Sequence, residues 1–341
     1  MKKIIIILIA VLGTISCKKD PPIPKGNSLP FENDNIRVDL INSSMPSLIR
    51  NILFLDKSKG FVVTNDGKIY MTTNKGVTWT LQYTNPTPDQ PLFQILFMDA
   101  NVGYVVGGSN GCGGTGCIPP GGLILKTTDG GNNWTKVFTG SQAFASIASN
   151  NSGDLFTVTI TNGILKSTNG GINWTTADSL AIPLDKIIFN NNYGFSVGSS
   201  GKIFRSSDNG NTWVLTTTLN SNYIADIKFI NNNGFCIANY SQSVYKTTDN
   251  GSTWTQTYTS DFQSYVLTPL TNTSCLIFGS GRYTGGDFGT WNGAIRQTMN
   301  SGNNWTETEL VDIQPIRYTS FYSTTEGFGV ADRKLIKVTV K

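Results

Sequence analysis

The chain has 341 residues, 38% hydrophobic, 11% aromatic and only 14% charged, with 36 Gly, 7 Trp and no His. Soluble domains carry about 25% charged residues, so polarity here comes from Asn, Thr, Ser and Gly, while the apolar content can bury a core and excludes wholesale disorder. The missing histidine excludes Ser-His-Asp and Cys-His hydrolysis and His-ligated zinc, and 26 Lys and Arg against 22 Asp and Glu, with no basic stripe, exclude a nucleic-acid partner.

Met1-Lys2-Lys3 precedes an apolar run from Ile4 to Leu12. That run is too short for a membrane span of about 20 residues, so residues 1–16 read as a signal peptide. Gly13-Thr14-Ile15-Ser16-Cys17 resembles a bacterial lipobox, with Thr14 where that motif usually has Leu. The resemblance implies lipidation at Cys17. Residues 17–34, rich in Lys and Pro, read as a flexible tether. The expected location is therefore the cell envelope, lipid-anchored at the outer membrane on its periplasmic or surface side.

From residue 35 onwards one octapeptide recurs six times, ending at Trp79, Trp134, Trp174, Trp213, Trp254 and Trp305. Its pattern is Ser/Thr-x-Asp/Asn-x-Gly-x-Thr/Asn-Trp, and its third position holds Asn74, Asp129, Asn169, Asp208, Asp249 and Asn300. Successive Trp lie 55, 40, 39, 41 and 51 residues apart, a unit of about 40 with two insertions. Ahead of the octapeptides come an apolar run, in four cases a Gly-aromatic-aliphatic run such as Gly60-Phe61-Val62-Val63, and a short run such as Lys202-Ile203-Phe204-Arg205. With the stretch after each Trp these make four antiparallel strands, which is a propeller blade.

A seventh unit at the C-terminus has three strands, ending in Leu335 to Val340, and no octapeptide. Asn35 to Ile41 has no blade of its own and supplies the missing strand, pairing the chain ends and removing open edges. The expected fold is all-β, a seven-bladed β-propeller of four-stranded antiparallel blades over residues 35–341, and a monomer.

The octapeptide suits a hairpin between third and fourth strands. Gly at position five allows positive φ, the Asp or Asn and Ser or Thr side chains satisfy turn amides, and Trp covers the base. In order and spacing it resembles the Asp box, or bacterial neuraminidase repeat. Asn at three of six third positions argues against catalysis or charge-dependent metal binding there, so the octapeptides are expected to fasten blades. Over residues 36–341 the Gly-Phe-x-Val-Gly and Lys-Thr-Thr-Asp-Gly-Gly-x-x-Trp-Thr phrases resemble the photosystem II stability/assembly factor family. That resemblance implies a single non-catalytic propeller that binds or assembles a partner. The lipoprotein start resembles Bacteroidota envelope proteins, so the fold carries over and a photosystem client does not.

Asp-box propellers also include sialidases and xyloglucan-cleaving glycosidases. The seven arginines, Arg37, Arg50, Arg205, Arg282, Arg296, Arg317 and Arg333, include no Arg-Ile-Pro element, and no acidic pair stands out from the repeat as the two carboxylates of a glycosidase would. Arg205 and Arg296 precede octapeptides where Lys126, Lys166 and Lys246 stand in others, and are expected to be structural. No enzyme activity, metal or cofactor is expected. Cys112 and Cys117, in a glycine-rich loop, are expected to form a disulfide, and Cys236 and Cys275, in apolar runs, to be buried thiols.

Both insertions, 107–122 and 279–292, fall between second and third strands, on the face that also carries the blade-to-blade connections. Loops on a rigid scaffold usually carry function, and Arg, Tyr and Trp are favoured anchors. Arg282, Tyr283, Asp287, Phe288 and Trp291 are the expected recognition surface, for an envelope protein or, as an alternative, a glycan stacked on Trp291 and Tyr283.

Overall fold

Short strands, with no helix among the described residues, form seven antiparallel sheets. The computed structural model describes residues 30–341 except 43, 47, 88–89, 110, 112–119, 160–162, 181, 222, 240–241, 285–289 and 312. The signal peptide, Cys17 and all but the last residues of the tether lie outside the described residues, as do Cys112, Cys117, Asp287 and Phe288.

Blades one to six span 49–84, 92–140, 144–178, 184–218, 224–259 and 264–310, each four strands paired in chain order. Blade seven takes Ile316–Phe321, Glu326–Ala331 and Lys334–Val340, then closes on Ile36–Asn42 from the other end of the chain. Ile36 pairs with Val340 and Val38 with Val338. The ring is a seven-bladed propeller, with the expected strand supplying the closure. The sheet starts earlier than the expected boundary at residue 35. Phe31–Glu32 adds a fifth strand, with buried Phe31 opposite Val38 and Asn33 Oδ1 accepting the amides of Asn35 and Ile36 in the turn between.

The core lies between blades rather than inside them. Seven buried apolar clusters are present among the described residues, each made by two neighbouring blades. A four-stranded blade has two apolar faces and must cover both, so its inner strands bury side chains on either side while the outer fourth strands stay largely exposed. Second strands accordingly read as continuous buried runs, as in Gly60–Thr64 and Leu155–Thr159.

The octapeptides form the expected hairpins. In each, the first hydroxyl accepts the position-five glycine amide, for example Gly131 N–H to Thr127 Oγ1 at 2.9 Å, and the Trp indole donates to that glycine's carbonyl, Trp134 Nε1 to Gly131 at 3.1 Å. Trp134 stands edge-on to Phe97 of its own blade and Phe61 of the preceding one, at 6.0 and 6.5 Å. The turn thus fastens its blade backwards. Lys126 Nζ reaches forwards to the Gly170 carbonyl and Arg205 Nε to the Asn250 carbonyl, latching onto the next blade's octapeptide.

Where position seven is Thr, the interchange of Asp and Asn at position three has a direct explanation. Asp208 and Asp249 accept from the hydroxyls of Thr212 and Thr253 at 2.7 Å, whereas Asn74 donates its amide to Thr78 Oγ1 at 2.8 Å. A hydroxyl serves either way, so one contact survives with its direction reversed.

The acidic versions titrate differently. Side-chain and backbone hydrogen bonds from Asn133 hold the Asp129 carboxyl at about 2. At Asp249 partial burial opposes ionisation, but the Thr253 amide and hydroxyl outweigh it, again giving about 2. A carboxyl depressed in the fold stabilises above its unfolded pKa, and that contribution disappears as pH falls from about 4 towards 2. Asp129→Asn with Asp249→Asn should therefore melt below the parent at neutral pH, with the gap closing by pH 2. A gap in thermal midpoint that stays constant across this range would contradict the assignment.

Candidate binding face

The second insertion is not a loop. The second and third strands of blade six run on as Cys275–Thr284 and Thr290–Thr298, so the described residues of 279–292 are paired strand, and Tyr283 pairs with Trp291 in a β-hairpin that leaves the blade. A register shift between Ser280 and Tyr283 marks where it leaves the blade. The glycine-rich sequence hides this, because glycine and serine at a bulge read as loop. Gly279 and Ser280 belong to the blade, paired with Ala294 and Gly293.

The hairpin is held at its base. Glu309 Oε1, from the fourth strand, accepts both the Arg282 amide at 2.9 Å and Asn292 Nδ2 at 3.0 Å, joining the two strands. Arg296 Nη2 donates to the Ser280 carbonyl at 2.8 Å. Of the expected recognition residues, Tyr283 and Trp291 come together at 5.4 Å between ring centroids, both about half exposed, with Arg282 exposed beside them.

Arg296 departs from the expected register. The residues directly before the octapeptides are Met71, Lys126, Lys166, Arg205, Lys246 and Gln297, so the counterpart of those lysines is Gln297. Arg296 lies one residue earlier, on the opposite face of the strand. Its counterparts are Tyr70, Leu125, Leu165, Phe204 and Tyr245. Only blade six puts a cation there, with a fully buried side chain. Arg296 Nε lies 2.8 Å from Glu307 Oε2 and the guanidinium carbon 6.0 Å from the Phe262 ring centre, but neither Nε nor Nη1 makes a hydrogen bond. Burying an ion pair usually stabilises less than burying an apolar side chain of similar size. Arg296 is thus costly to the fold and bound to the one backbone carbonyl from which the hairpin departs.

A second feature lies on the propeller axis, in a cavity of about 480 Å³ lined by the first strands of all seven blades. Each of these strands has a bulge at its second residue. The third residues form a ring that includes Gln94, Ser146, Lys186 and Asp226. Several of them hold the next blade's backbone. Gln94 Oε1 accepts the Ile147 amide at 3.0 Å, Ser146 Oγ the Ile187 amide at 3.1 Å, and Asp226 Oδ2 the Leu267 amide at 2.8 Å, while Lys186 is ion-paired with Asp226. These residues are single letters about 40 apart, and only aligning the first strands of the repeats reveals them. Their geometry is that of fasteners.

Cys236 and Cys275 are free and buried as expected, their thiol pKa values pushed up by burial. Among the described residues no group of three or more His, Cys, Asp or Glu could hold a metal ion.

Residues 177–317 match the family described as "Photosynthesis system II assembly factor YCF48". The chain resembles that family. The matched stretch takes in the hairpin and its bracing residues Arg296 and Glu309. "Photosystem II assembly lipoprotein Ycf48" of Synechococcus sp. (strain CC9902) is 27% identical over 136 residues, 39% of this chain and 35% of its own length. The match thus spans about a third of that curated relative.

Solved YCF48 structures align along nearly their whole length. One bound to a D1 peptide gives a TM-score of 0.68 at 16% identity, covering 91% of this chain and 99% of the other. The one from Cyanidioschyzon merolae gives 0.64 at 16% identity, covering 88% and 98%. The GH74 enzyme of Niastella koreensis reaches 0.70 at 19% identity, covering 87% of this chain but 53% of its own. At these identities the shared property is the fold.

Proposed function

We propose that the protein is a non-catalytic scaffold of a bacterial cell envelope that recognises a protein partner through the face carrying the blade-six hairpin. Lipid on Cys17 holds it at a membrane after removal of residues 1–16, and the chain between Cys17 and the strand at Phe31 serves as tether. The observation that carries the reading is the specialisation of one blade among seven. Blade six alone gives up an apolar core residue for Arg296, and Arg296 and Glu309 together brace a hairpin that presents Tyr283 and Trp291 to solvent. Aromatic anchors on a rigid support are what a recognition surface needs. Resemblance to an assembly-factor family supports the reading, as does the D1 peptide bound by one of its solved members. The carboxylates of the octapeptides and Asp226 hold backbone amides, which supports a scaffold over a hydrolase.

Crosslinking in intact envelopes tests this. Replacing residues 282–291 by Asn-Gly should abolish partner capture with the melting temperature maintained. Arg296→Leu restores the apolar residue of the other blades, and should leave the fold as stable or more so while weakening capture. Undiminished capture by both variants would refute the assignment. Cys17→Ser should move the protein from the membrane to the soluble fraction, and continued membrane fractionation would refute the anchor.

A further inference from the structure

Trp291 stands between two hollows on the same face. One, of about 190 Å³, lies at the junction of blades five and six, and the other, of about 310 Å³, at the junction of blades six and seven. Both include Trp291 in their walls, so the half-exposed indole is a fin with a recess on either side. In the smaller hollow Phe262 meets Trp291 at 6.4 Å and 68°, and Tyr265 completes an aromatic wall.

The chemistry of the walls narrows the ligand. A cation would seek the ring faces of Phe262 and Tyr265. Both rings already carry one, Arg296 over Phe262 at 6.0 Å and Arg317 over Tyr265 at 4.5 Å. An anion would meet Asp261 in the smaller hollow and Asp332 in the larger. In the larger hollow Asp332 is matched by Lys334, so neither sign dominates. A purely apolar or phenolic side chain would leave most of the polar lining unmatched. Gln242, Asp261, Gln263 and Ser280 line the smaller hollow, and Thr290, Asn292 and Gln314 the larger. Such walls call for a neutral ligand with an apolar face and several hydroxyls per unit, repeated at least twice.

We infer that Trp291 and its two flanking hollows form a binding site for a neutral glycan, one sugar ring on each side of the indole. This is a further activity of the same face: it shares Trp291 with the protein-partner reading and adds residues such as Gln242 and Asp261 that lie off the hairpin.

Calorimetric titration of the full chain with cellotetraose, laminaritetraose and mannotetraose tests the inference, beside tetragalacturonate and chitosan tetramer as acidic and basic counterparts. At least one neutral tetraose should bind with a Kd of about 1 mM or tighter. Trp291→Ala should weaken it about tenfold or more. Gln242→Ala, remote from the hairpin, should weaken it about threefold to tenfold, and both variants should keep the parent melting temperature. The inference is overturned if no neutral tetraose binds at about 10 mM, if Trp291→Ala binds like the parent, or if a charged tetramer binds more tightly than every neutral one. Partner crosslinking that survives Gln242→Ala while sugar binding falls would show the two activities to be separate.

Discussion

Val38→Asp is expected to leave no cooperatively folded protein. Val38 is fully buried in the strand that closes the ring, opposite Val338, within the cluster between blades six and seven. An aspartate there is an unpaired charge among Ile36, Ile336 and Val338, and burying an uncompensated charge costs several kcal/mol or more. Whole domains are stable by only about 5–15 kcal/mol. Pairing across the closure is also what completes blade seven, so the lesion reaches the interfaces on both sides of that blade. Arg37→Ala is the matched control. Arg37 is exposed and its ion pairs to Glu32 and Asp39 are on the surface, so a melting temperature close to the parent's is expected. Circular dichroism melts and size exclusion decide the matter. A V38D protein that melts cooperatively near the parent temperature would mean the ring is stable without its closing strand.

Gly210→Ala should cost about 2–5 kcal/mol, from strain and overlap together. Gly210 is the position-five glycine of the fourth octapeptide, at φ +86°. An added Cβ would lie 2.4 Å from Phe156 Cζ in the preceding blade and 2.9 Å from Phe189 Cζ. The preceding position is also left-handed, yet holds Lys75, Asn209, Asn250 or Ser301 in different copies. Positive φ alone is therefore tolerated at the preceding position, and at Gly210 contact with the neighbouring blade adds to it. Gly153→Ala separates the two effects. Gly153 has φ +81° but nothing within 4 Å of an added Cβ, so only the strain of about 1–2 kcal/mol remains. Equal losses in urea unfolding would show that the blade contact contributes nothing.

Repetition made most of the fold legible. Six Trp at near-constant spacing placed the third and fourth strands, and the unpaired run at Asn35 to Ile41 indicated the closure, because a blade with three strands needs a fourth. What stayed hidden was whatever occurs once. Phe31–Glu32 is too short to show periodicity. The hairpin of blade six was masked by glycines at its bulge. Arg296 is one residue from the latch position, and in a strand one residue reverses the face, so a residue that reads as the counterpart of Lys126, Lys166 and Lys246 is a buried brace. The axial residues Gln94, Ser146 and Asp226 differ in type while sharing a position, and a repeat recognised by its tryptophans does not draw attention to them.

The closing strand also sets an order of events in time. Ile36–Asn42 is among the first parts of the ring to leave the ribosome, and its partner Lys334–Val340 is among the last. Until then the early strand is an open edge of the kind that invites pairing with other chains. Arg37 and Asp39 place charges along that edge, and charged edges resist such pairing. Closure then becomes a late, long-range step, so a chain arrested a few residues short of Val340 would have six finished blades and an exposed, adhesive end.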